Sequence, residues 1–286
     1  MADLNKPING VFDEDHRAAT FKRKLIRSLQ LGPKYYFWDL PRYLKFRRSL
    51  GLSIWDGATL LNPFREFTGR IYHPLDLPPG YEAALAQIQA VNIRLTIPPN
   101  RLMGLLGLWW ACRIIPGDVI ECGSYKGATG LLVALLGREN GLNQNVHLLD
   151  TFGGMPAPGL FDGSRSAGEF LPSADQVAIL KQQAAGLGVT DRVKIHCGLF
   201  GDTFVELKAQ KPRFSFAHID ANMYSSTLEA CEFVLPRLNK DGAVVFDDYN
   251  AVCDLGARLA IDQYFRNRPE RLKPLAGCSA YVSVIS

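Results

Sequence analysis

The sequence predicts an α/β fold in which a mostly parallel sheet of seven strands carries helices on both faces. From residue 118 onward, short apolar runs of strand length alternate with helical segments, which is the pattern that parallel sheets produce. Four of these runs end in an acidic residue, and the first leads into a turn that contains glycine. Because 47% of the residues are hydrophobic and only 21% are charged, the chain can bury a large core.

The first part of the chain is predicted to be a helical extension, residues 1–95, that precedes a main domain of residues 96–286. Residues 81–95 have helical periodicity, and the face that would be buried contains Leu85, Ile88, Val91 and Leu95. An apolar helix is expected over residues 98–115, since it follows Pro99 and stops before a Pro-Gly-Asp sequence. Its uninterrupted apolar run is shorter than the roughly 20 residues that span a bilayer, so a core helix is predicted.

The main domain is predicted to contain strands at residues 118–123, 145–150, 192–198, 214–220, 242–249, 272–277 and 280–285. Its predicted helices are residues 127–140, 174–188, 225–238 and 257–268. Residues 152–173 are rich in Gly, Pro and Ser and form a long irregular connection. Since loops of this length in compact domains are usually functional or disordered, this segment is predicted to be a substrate lid.

Cysteine usage and charge narrow the class of protein. Six scattered cysteines without a Cys-x-x-Cys pair favour reduced thiols and a cytoplasmic location over a disulfide frame or a zinc site. The polar, acidic N-terminus has no signal-peptide pattern. The net charge is only +4, but residues 20–50 contain nine Lys or Arg residues among several aromatic ones. Peripheral membrane contact is one interpretation of this segment, and a solvated face packed on the main domain or on a second subunit is the favoured one.

Acidic residues follow the apolar strands at the points where these strands end. The residues are Glu121, Asp150, Asp220 and the pair Asp247-Asp248. The carboxyl ends of parallel strands share one edge of a sheet, and ligands bind in the crevice outside that edge. Several carboxylates gathered there would repel one another unless cations or hydroxyl donors were present.

The turn after the first strand, ECGSYKGATG at residues 121–130, indicates a nucleoside cofactor. Gly123 and Gly127 permit a tight turn before a helix. The spacing is not Gly-x-Gly-x-x-Gly but the looser Glu-x-Gly-x-x-x-Gly found in proteins that hold S-adenosylmethionine. At the end of the next strand, Asp150 is either a residue that caps a turn or a carboxylate that accepts both ribose hydroxyls.

Asp220, Asp247 and Asp248 are candidate ligands of a hard cation such as Mg²⁺, because they offer oxygen donors only. Such a cation would neutralise their repulsion. In the alternative, Asp248 faces water and Asp247 is the functional acid. His218, two residues before Asp220, is predicted to be a hydrogen-bonded core histidine rather than a ligand, and the same prediction is made for His147 and His196.

Four segments, at residues 118–130, 148–156, 197–204 and 218–249, resemble the macrocin O-methyltransferase family in order and spacing. The resemblance covers roughly residues 96–286 and implies a Rossmann-like class I methyltransferase fold. Members of this family depend on S-adenosylmethionine and Mg²⁺ and methylate sugar hydroxyls of natural products. The resemblance therefore implies a small-molecule polyol or glycoside as the acceptor and a homo-oligomeric, cytoplasmic enzyme.

The resemblance also implies roles for individual residues. The implied cofactor-binding residues are Glu121, Cys122, Gly123, Ser124, Tyr125, Asp150, Thr151, Phe152, Cys197, Gly198 and Asp220. Asp220, Asp247 and Asp248 bind the metal, and Asp220 doubles as the general base. The sequence departs from the family pattern in two places, and there the family's residue roles and acceptor do not transfer directly. Asn222 stands where the family commonly has an acid, and the first hundred residues do not match the better-known antibiotic enzymes.

The sequence leaves three alternative functions. A nicotinamide-dependent oxidoreductase is disfavoured because the Gly-x-Gly-x-x-Gly turn is absent and the acid triad is present. A nucleic-acid methyltransferase would use the basic segment but would not need the three acids, so no nucleic acid is expected as a partner. The third alternative is a non-catalytic, membrane-associated protein that binds S-adenosylmethionine and attaches through residues 20–50.

Overall fold

A computed structural model of the chain describes residues 44–45, 47–48, 76–163, 165–251, 253–270 and 272–283. Most of the predicted N-terminal extension, including most of the basic segment at residues 20–50, lies outside the described residues. One contact of that region is described. The buried Arg47 pairs with Asp262, which also accepts a hydrogen bond from the Tyr249 hydroxyl at 2.7 Å.

From residue 76 onward, the described part of the chain contains seven helices and seven strands, besides two short 3-10 turns at Cys112–Ile114 and Leu235–Arg237. The helices are α1 (Tyr81–Ala90), α2 (Pro99–Ala111), α3 (Ala128–Glu139), α4 (Gln176–Gly186), α5 (Phe200–Ala209), α6 (Tyr224–Val234) and α7 (Leu255–Phe265). The strands are β1 (Asp118–Cys122), β2 (Val146–Asp150), β3 (Val193–Cys197), β4 (Phe214–Ile219), β5 (Leu238–Phe246), β6 (Lys273–Pro274) and β7 (Ala280–Ser283).

The strands form one sheet in the order β3-β2-β1-β4-β5-β7-β6, and the pairs among β1 to β5 are all parallel. β7 lies antiparallel between β5 and β6. The order of the strands reverses between β1 and β4, so the crevice at the carboxyl ends of these two central strands is the expected ligand site. Glu121 lies opposite His218 across this reversal. The predicted mostly parallel, seven-stranded sheet is confirmed.

Apolar side chains of the sheet alternate between two separate cores, one on each face. Val119 of β1 belongs to the core beneath α1 to α4, and the neighbouring Ile120 belongs to the core beneath α5 to α7. Trp109 of α2 is only 1% exposed in the first of these cores. Helices on both faces are therefore also confirmed, and α2, the apolar helix after Pro99, is a core helix as predicted. Among the described residues, no helix has both the length and the apolar composition needed to cross a membrane.

The first helix is shorter than the periodicity predicted. α1 ends at Ala90 because Asn92 adopts a left-handed conformation, with φ of 56°. The Asn92 and Ile93 N–H groups then bond the carbonyls of Gln89 and Ile88, which closes the helix. Val91 and Leu95 consequently leave the helical face on which they were predicted to lie.

Three further elements differ from the prediction. α5 was not predicted, and its aromatic face stacks on α6, with the Phe204 and Phe233 rings 4.1 Å apart. β5 begins at Leu238 rather than at residue 242, and its pairing with β4 shifts register near Asp241, where φ is 65°. β6 contains only two residues, because Pro274 lacks the N–H group that would continue the ladder.

Candidate active site

The turn after β1 passes directly against the end of β4. Gly123 has φ of 92°, and its N–H group bonds the Leu149 carbonyl at 2.8 Å. A Cβ atom at this position would collide with the backbone carbonyl of Asp220. Glycine is therefore required twice over, by its conformation and by this contact. The turn predicted to hold a cofactor and the acid predicted to act as base are in van der Waals contact.

Asp150 holds two turns together at the end of β2. Its carboxylate accepts the N–H groups of Tyr125 and Phe152, each at 2.8 Å. Burial raises the pKa of Asp150, and these two hydrogen bonds oppose that effect. The turn-capping role is thus present in the structure. A carboxylate has about four lone-pair sites, so capping leaves room for the ribose hydroxyls, whose binding here remains a prediction.

The other predicted cofactor residues surround Asp150. The Gly198 N–H group bonds the Asp150 carbonyl at 3.0 Å, and the exposed Cys197 thiol bonds the Thr151 carbonyl at 3.5 Å. Ser124 is buried, and its N–H group bonds Leu149. The Cys122 thiol lies in the core, where burial raises its pKa well above the usual value. Any contact of Cys122 with a cofactor would therefore be through its backbone.

Glu121 and His218 form a buried pair between the turn and the acids. The His218 Nδ1 atom lies 3.0 Å from the Glu121 Oε1 atom. Their second polar atoms, His218 Nε2 and Glu121 Oε2, are buried without a hydrogen-bond partner among the residues described. His218 is thus the hydrogen-bonded core histidine that was predicted.

The three aspartates meet where β4 and β5 end side by side. The Asp247 N–H group bonds the Ile219 carbonyl at 3.0 Å, which places Asp247 beside Asp220. Asp247 is buried and also accepts the Ser279 hydroxyl at 3.1 Å. The surroundings of Asp220 are deeply buried, although the residue keeps some exposed surface. Burial and the charge of Asp248 together hold the pKa of Asp220 well above the ordinary value.

Arg101, which the sequence analysis missed, supplies the positive charge for the adjacent acids. Its Nε atom lies 3.0 Å from Asp247 Oδ1, and its Nη2 atom pairs with Asp247 Oδ2 and lies 3.1 Å from Asp248 Oδ1. The guanidinium thus bridges both carboxylates and is itself only 7% exposed. The one available signal was a lone cation in the first turn of the otherwise apolar α2.

Asn222 binds the other side of Asp248. It adopts a left-handed conformation, with φ of 57°, and its Nδ2 atom donates to Asp248 Oδ2 at 2.6 Å. An acid in this place would add a further negative charge, whereas the amide acts as a donor. With Arg101 and Asn222 bound, the Asp248 side chain is only 11% exposed, so the alternative in which Asp248 faces water is wrong.

The donor atoms at this edge fit a divalent cation. One ligand atom each from His218, Asp220 and Asp247 lie within 4.8 Å of one another. Carboxylate oxygens with one imidazole nitrogen are a donor set that divalent ions accept. Among the described residues, Asp248 is not a member of this group, and its role as a metal ligand remains a prediction.

Residues 152–173 are anchored to two helices. The buried Asp162 accepts the N–H group of Tyr224, at the start of α6, at 2.7 Å. The buried Arg165 pairs with Asp254, next to α7, and with Glu169 at 3.1 Å. At the other end of the segment, the exposed Phe170 contacts the ring of Tyr125 in the cofactor turn. The segment therefore connects that turn to the acid side of the site, as a lid would, although movement remains a prediction.

A family model identifies this arrangement. Residues 111–278 match the model of macrocin-O-methyltransferase (TylF), which is more than half of the chain. The chain belongs to the macrocin O-methyltransferase family. The match covers every residue of the site described above except Arg101 and Ser279.

One curated relative is similar to part of the chain. A curated relative from Streptomyces olivaceus is 30% identical over 142 residues, 47% of this chain and 54% of the relative. That protein is an 8-demethyl-8-(2,3-dimethoxy-alpha-L-rhamnosyl)-tetracenomycin-C 4'-O-methyltransferase. The chain thus matches about half the length of this relative.

Two solved structures have the same fold. The O-methyltransferase NovP superposes with a TM-score of 0.60 at 21% identity over 68% of this chain and 84% of NovP. The calicheamicin methyltransferase CalS11 superposes with a TM-score of 0.56 at 22% identity over 74% of this chain and 95% of CalS11. The Rossmann-like methyltransferase fold of the described residues is thereby confirmed.

Proposed function

We propose that the protein is an S-adenosylmethionine-dependent O-methyltransferase that acts on a hydroxyl of a sugar or of another polyhydroxylated small molecule. The observation that carries the proposal is the contact between Gly123 and the backbone of Asp220. It joins a turn suited to a nucleoside cofactor to an acid suited to deprotonate a hydroxyl. Family membership makes this combination the expected one for the chain.

The cofactor would lie across the ends of β1, β2 and β3. Asp150 would accept the ribose hydroxyls, while Cys197 and Gly198 would line the adenine side. When bound, S-adenosylmethionine supplies the methyl group as a sulfonium. The tight approach of the Gly123 turn to Asp220 would bring that methyl group next to the acids. Positioning of this kind accounts for much of the rate gain in group-transfer enzymes.

Asp220 is the proposed general base. Its raised pKa makes it a better proton acceptor than an ordinary carboxylate, as general-base catalysis requires. The proton of the acceptor hydroxyl would pass to Asp220 as the hydroxyl oxygen takes the methyl group, and the broken carbon–sulfur bond would leave S-adenosylhomocysteine as the second product. Arg101 would hold the Asp247 side chain in place beside the base.

A divalent cation, Mg²⁺ by resemblance, is proposed at the same acids, with Asp220, Asp247 and Asp248 as the ligands that the family implies. When bound, such an ion lowers the pKa of a neighbouring hydroxyl and adds positive charge where negative charge develops. The carboxylates at the ends of β4 and β5 supply the oxygen donors that Mg²⁺ prefers.

The acceptor proposed for this site has a sugar and an apolar part. The name of the Streptomyces olivaceus relative describes 4'-O-methylation of a tetracenomycin C that carries a dimethoxy-rhamnosyl group. On this chain, Leu160, Phe170 and Leu171 expose apolar side chains from the segment that faces the cofactor turn. These side chains would contact the apolar part of the acceptor. A role of residues 1–95 in the acceptor pocket or in homo-oligomer contacts is part of the same proposal.

Calorimetry with S-adenosylmethionine, S-adenosylhomocysteine and NAD, each with and without Mg²⁺, tests the cofactor. We expect both sulfur compounds to bind and NAD not to bind. Transfer of a labelled methyl group to a panel of glycosides and free sugars then tests the reaction. Binding of NAD alone, or cofactor binding without transfer to any hydroxyl in the panel, would contradict the proposal.

A further inference from the structure

Helix α6, which begins shortly after Asp220, is capped by a side chain from a distant part of the sequence. Its own N-cap residue, Met223, makes no side-chain hydrogen bond to the helix. Instead, the Asp162 carboxylate accepts the N–H group of Tyr224 at 2.7 Å, across 62 residues of sequence. Asp162 is only 4% exposed, and the neighbouring Phe161 ring lies 4.5 Å from the Tyr224 ring. A carboxylate at a helix N-terminus binds a free N–H group and the positive end of the helix dipole, so it fixes the start of α6.

The same carboxylate lies against the first turn of α7. A Cβ atom on Gly256 would collide with Asp162 Oδ1 and would lie 3.0 Å from the Tyr224 nitrogen. Glycine at position 256 therefore leaves the space through which Asp162 reaches α6. The other carboxylate oxygen, Asp162 Oδ2, accepts the Gly159 N–H group at 2.9 Å. Because both oxygens are bound, the side chain is held in one orientation between the two helices.

Arg165, in the same segment as Asp162, is bound to the start of α7. Its Nε atom donates to Asp254 Oδ1 at 2.6 Å, and Asp254 is the N-cap residue of α7. The Arg165 and Asp254 side chains are 4% and 1% exposed. The Asp254 N–H group bonds the Ala251 carbonyl, and the Ala251 N–H group bonds the Asp248 carbonyl, each at 3.1 Å. A continuous series of hydrogen bonds thus connects Arg165 to Asp248.

We propose that Asp162 and Arg165 are positioning residues that set the distance between Asp220 and the Asp247-Asp248 pair. Asp162 holds the helix that follows Asp220, and Arg165 holds the helix that follows Asp248. The inference rests on the proposed function, because that function gives the three acids their part in methyl transfer. A displacement of about 1 Å at a reacting group can lower a rate about 100-fold. Loss of either contact should therefore affect chemistry more than cofactor binding.

Asp162→Ala removes the cap of α6 and should lower kcat for methyl transfer about 10- to 100-fold. The Kd of S-adenosylhomocysteine, measured by calorimetry, should not change, because the proposed cofactor residues lie at the ends of β1, β2 and β3. Asp162→Asn keeps an oxygen that can accept the Tyr224 N–H group, so its kcat should stay within about threefold of the unmodified chain.

Gly256→Ala tests the same contact from α7 and does not alter Asp162 itself. The added methyl group would displace the Asp162 carboxylate, so kcat should fall about tenfold. In the Asp162→Ala background the same change should lower kcat little further, because both changes break one contact. Gly201→Ala is the matched control. Gly201 is likewise the second residue of its helix, α5, and no atom lies within 4 Å of a Cβ atom there, so kcat should not change.

Arg165→Met provides an independent test at α7. It breaks the pair with Asp254 and should lower kcat about tenfold, again without a change in the Kd of S-adenosylhomocysteine. Arg165→Lys keeps a positive charge beside Asp254 and should lose less activity than Arg165→Met. Equal kcat values for Arg165→Met and the unmodified chain would remove Arg165 from the assignment.

Hydrogen exchange, followed by mass spectrometry of peptides from the start of α6, measures the cap without turnover. Exchange should be faster in Asp162→Ala and Gly256→Ala than in the unmodified chain, and unchanged in Gly201→Ala. Unchanged exchange in Asp162→Ala, or faster exchange with full kcat, would overturn the positioning role and leave the proposed function intact. An unmodified chain that methylates no acceptor would instead contradict the proposed function, and with it the reaction that the two residues are proposed to serve.

Discussion

Asp220 lies where the cofactor turn touches the acids at the ends of β4 and β5, so its charge should matter for chemistry more than for binding. Asp220→Asn keeps the shape of the side chain but cannot take up a proton. We expect its kcat to fall about 10²- to 10⁴-fold, the range for loss of a general base. The affinity for S-adenosylmethionine, measured by calorimetry, should change less than about threefold.

Asp241→Asn is the control for this variant, because Asp241 is exposed in β5 and its left-handed backbone suits asparagine. Its kcat should equal that of the unmodified enzyme. Turnover of Asp220→Asn at the level of the control would remove Asp220 from the mechanism.

Gly123 is the residue whose missing side chain allows the turn to reach β4. Gly123→Ala combines an unfavourable positive φ with a collision against Asp220, and should lower the free energy of unfolding by about 3 kcal/mol or more. Gly141→Ala is matched, since Gly141 has φ of 68° but no atom within 4 Å of the added Cβ. It should cost only about 1–2 kcal/mol in urea unfolding. If the two variants lost the same free energy of unfolding, the collision with Asp220 would not add to the loss in Gly123→Ala.

At the scale of elements, α2 is joined to the ends of β4 and β5 by one side chain. Arg101→Met leaves Asp247 and Asp248 buried without their cation, and removal of one partner from a buried ion pair costs about 3–5 kcal/mol. Arg113→Met, just beyond the same helix, is the control. Arg113 is exposed, and its partners in the described part of the chain are the Trp110 carbonyl and ring, so its loss should cost less than about 1 kcal/mol.

A double variant separates charge from packing. If unpaired acids cause the loss in Arg101→Met, adding Asp247→Asn should restore at least about 1 kcal/mol of it, measured by the same unfolding experiment. A further loss of stability in the double variant would mean that Arg101 acts mainly by filling space.

The β2–β3 pair contains a histidine that titrates abnormally. Burial and the neighbouring His147 lower the pKa of His196 from 6.5 to about 4. Between these pH values the unfolded chain takes up a proton that the folded chain refuses, so stability falls as the pH drops from about 6.5 to about 4. His196→Gln should reduce this slope in urea unfolding at several pH values. Lys194→Gln, an exposed change in the same strand, should leave the slope unchanged.

At the scale of the whole molecule, residues 152–173 join the cofactor turn, α6 and α7. Chymotrypsin should cut this segment at the exposed Leu160 or Phe170, and cofactor together with acceptor should slow the cleavage if the segment closes as a lid. Arg165→Met removes the buried anchor to Asp254 and should speed cleavage without ligands. Cleavage at the same rate with and without ligands would show that the segment does not close.

The layout of the site was predictable where it follows from topology. Parallel strands must end at one edge, so Asp150, Asp220 and Asp247 had to meet there. Arg101 was not predictable, because 146 residues separate it from Asp247 and only the packing of α2 brings them together. Local backbone geometry explains why α1 is shorter than predicted. The left-handed Asn92 ends the helix, although the helical spacing of apolar residues continues beyond it. The sequence predicted that a bound cation would neutralise the acids. In the structure, the guanidinium of Arg101 supplies part of that positive charge.

The contact of Arg47 with Asp262 has a consequence for engineering acceptor choice by exchanging N-terminal regions among relatives. Asp262 also holds the hydroxyl of Tyr249, the residue that directly follows Asp247 and Asp248. A chimaera whose donor segment lacks a cation at position 47 would leave Asp262 with the more distant Arg258, 3.7 Å away, and would disturb Tyr249. Grafts should therefore carry over an arginine at that position, so that altered selectivity can be attributed to the pocket and not to a displaced strand terminus.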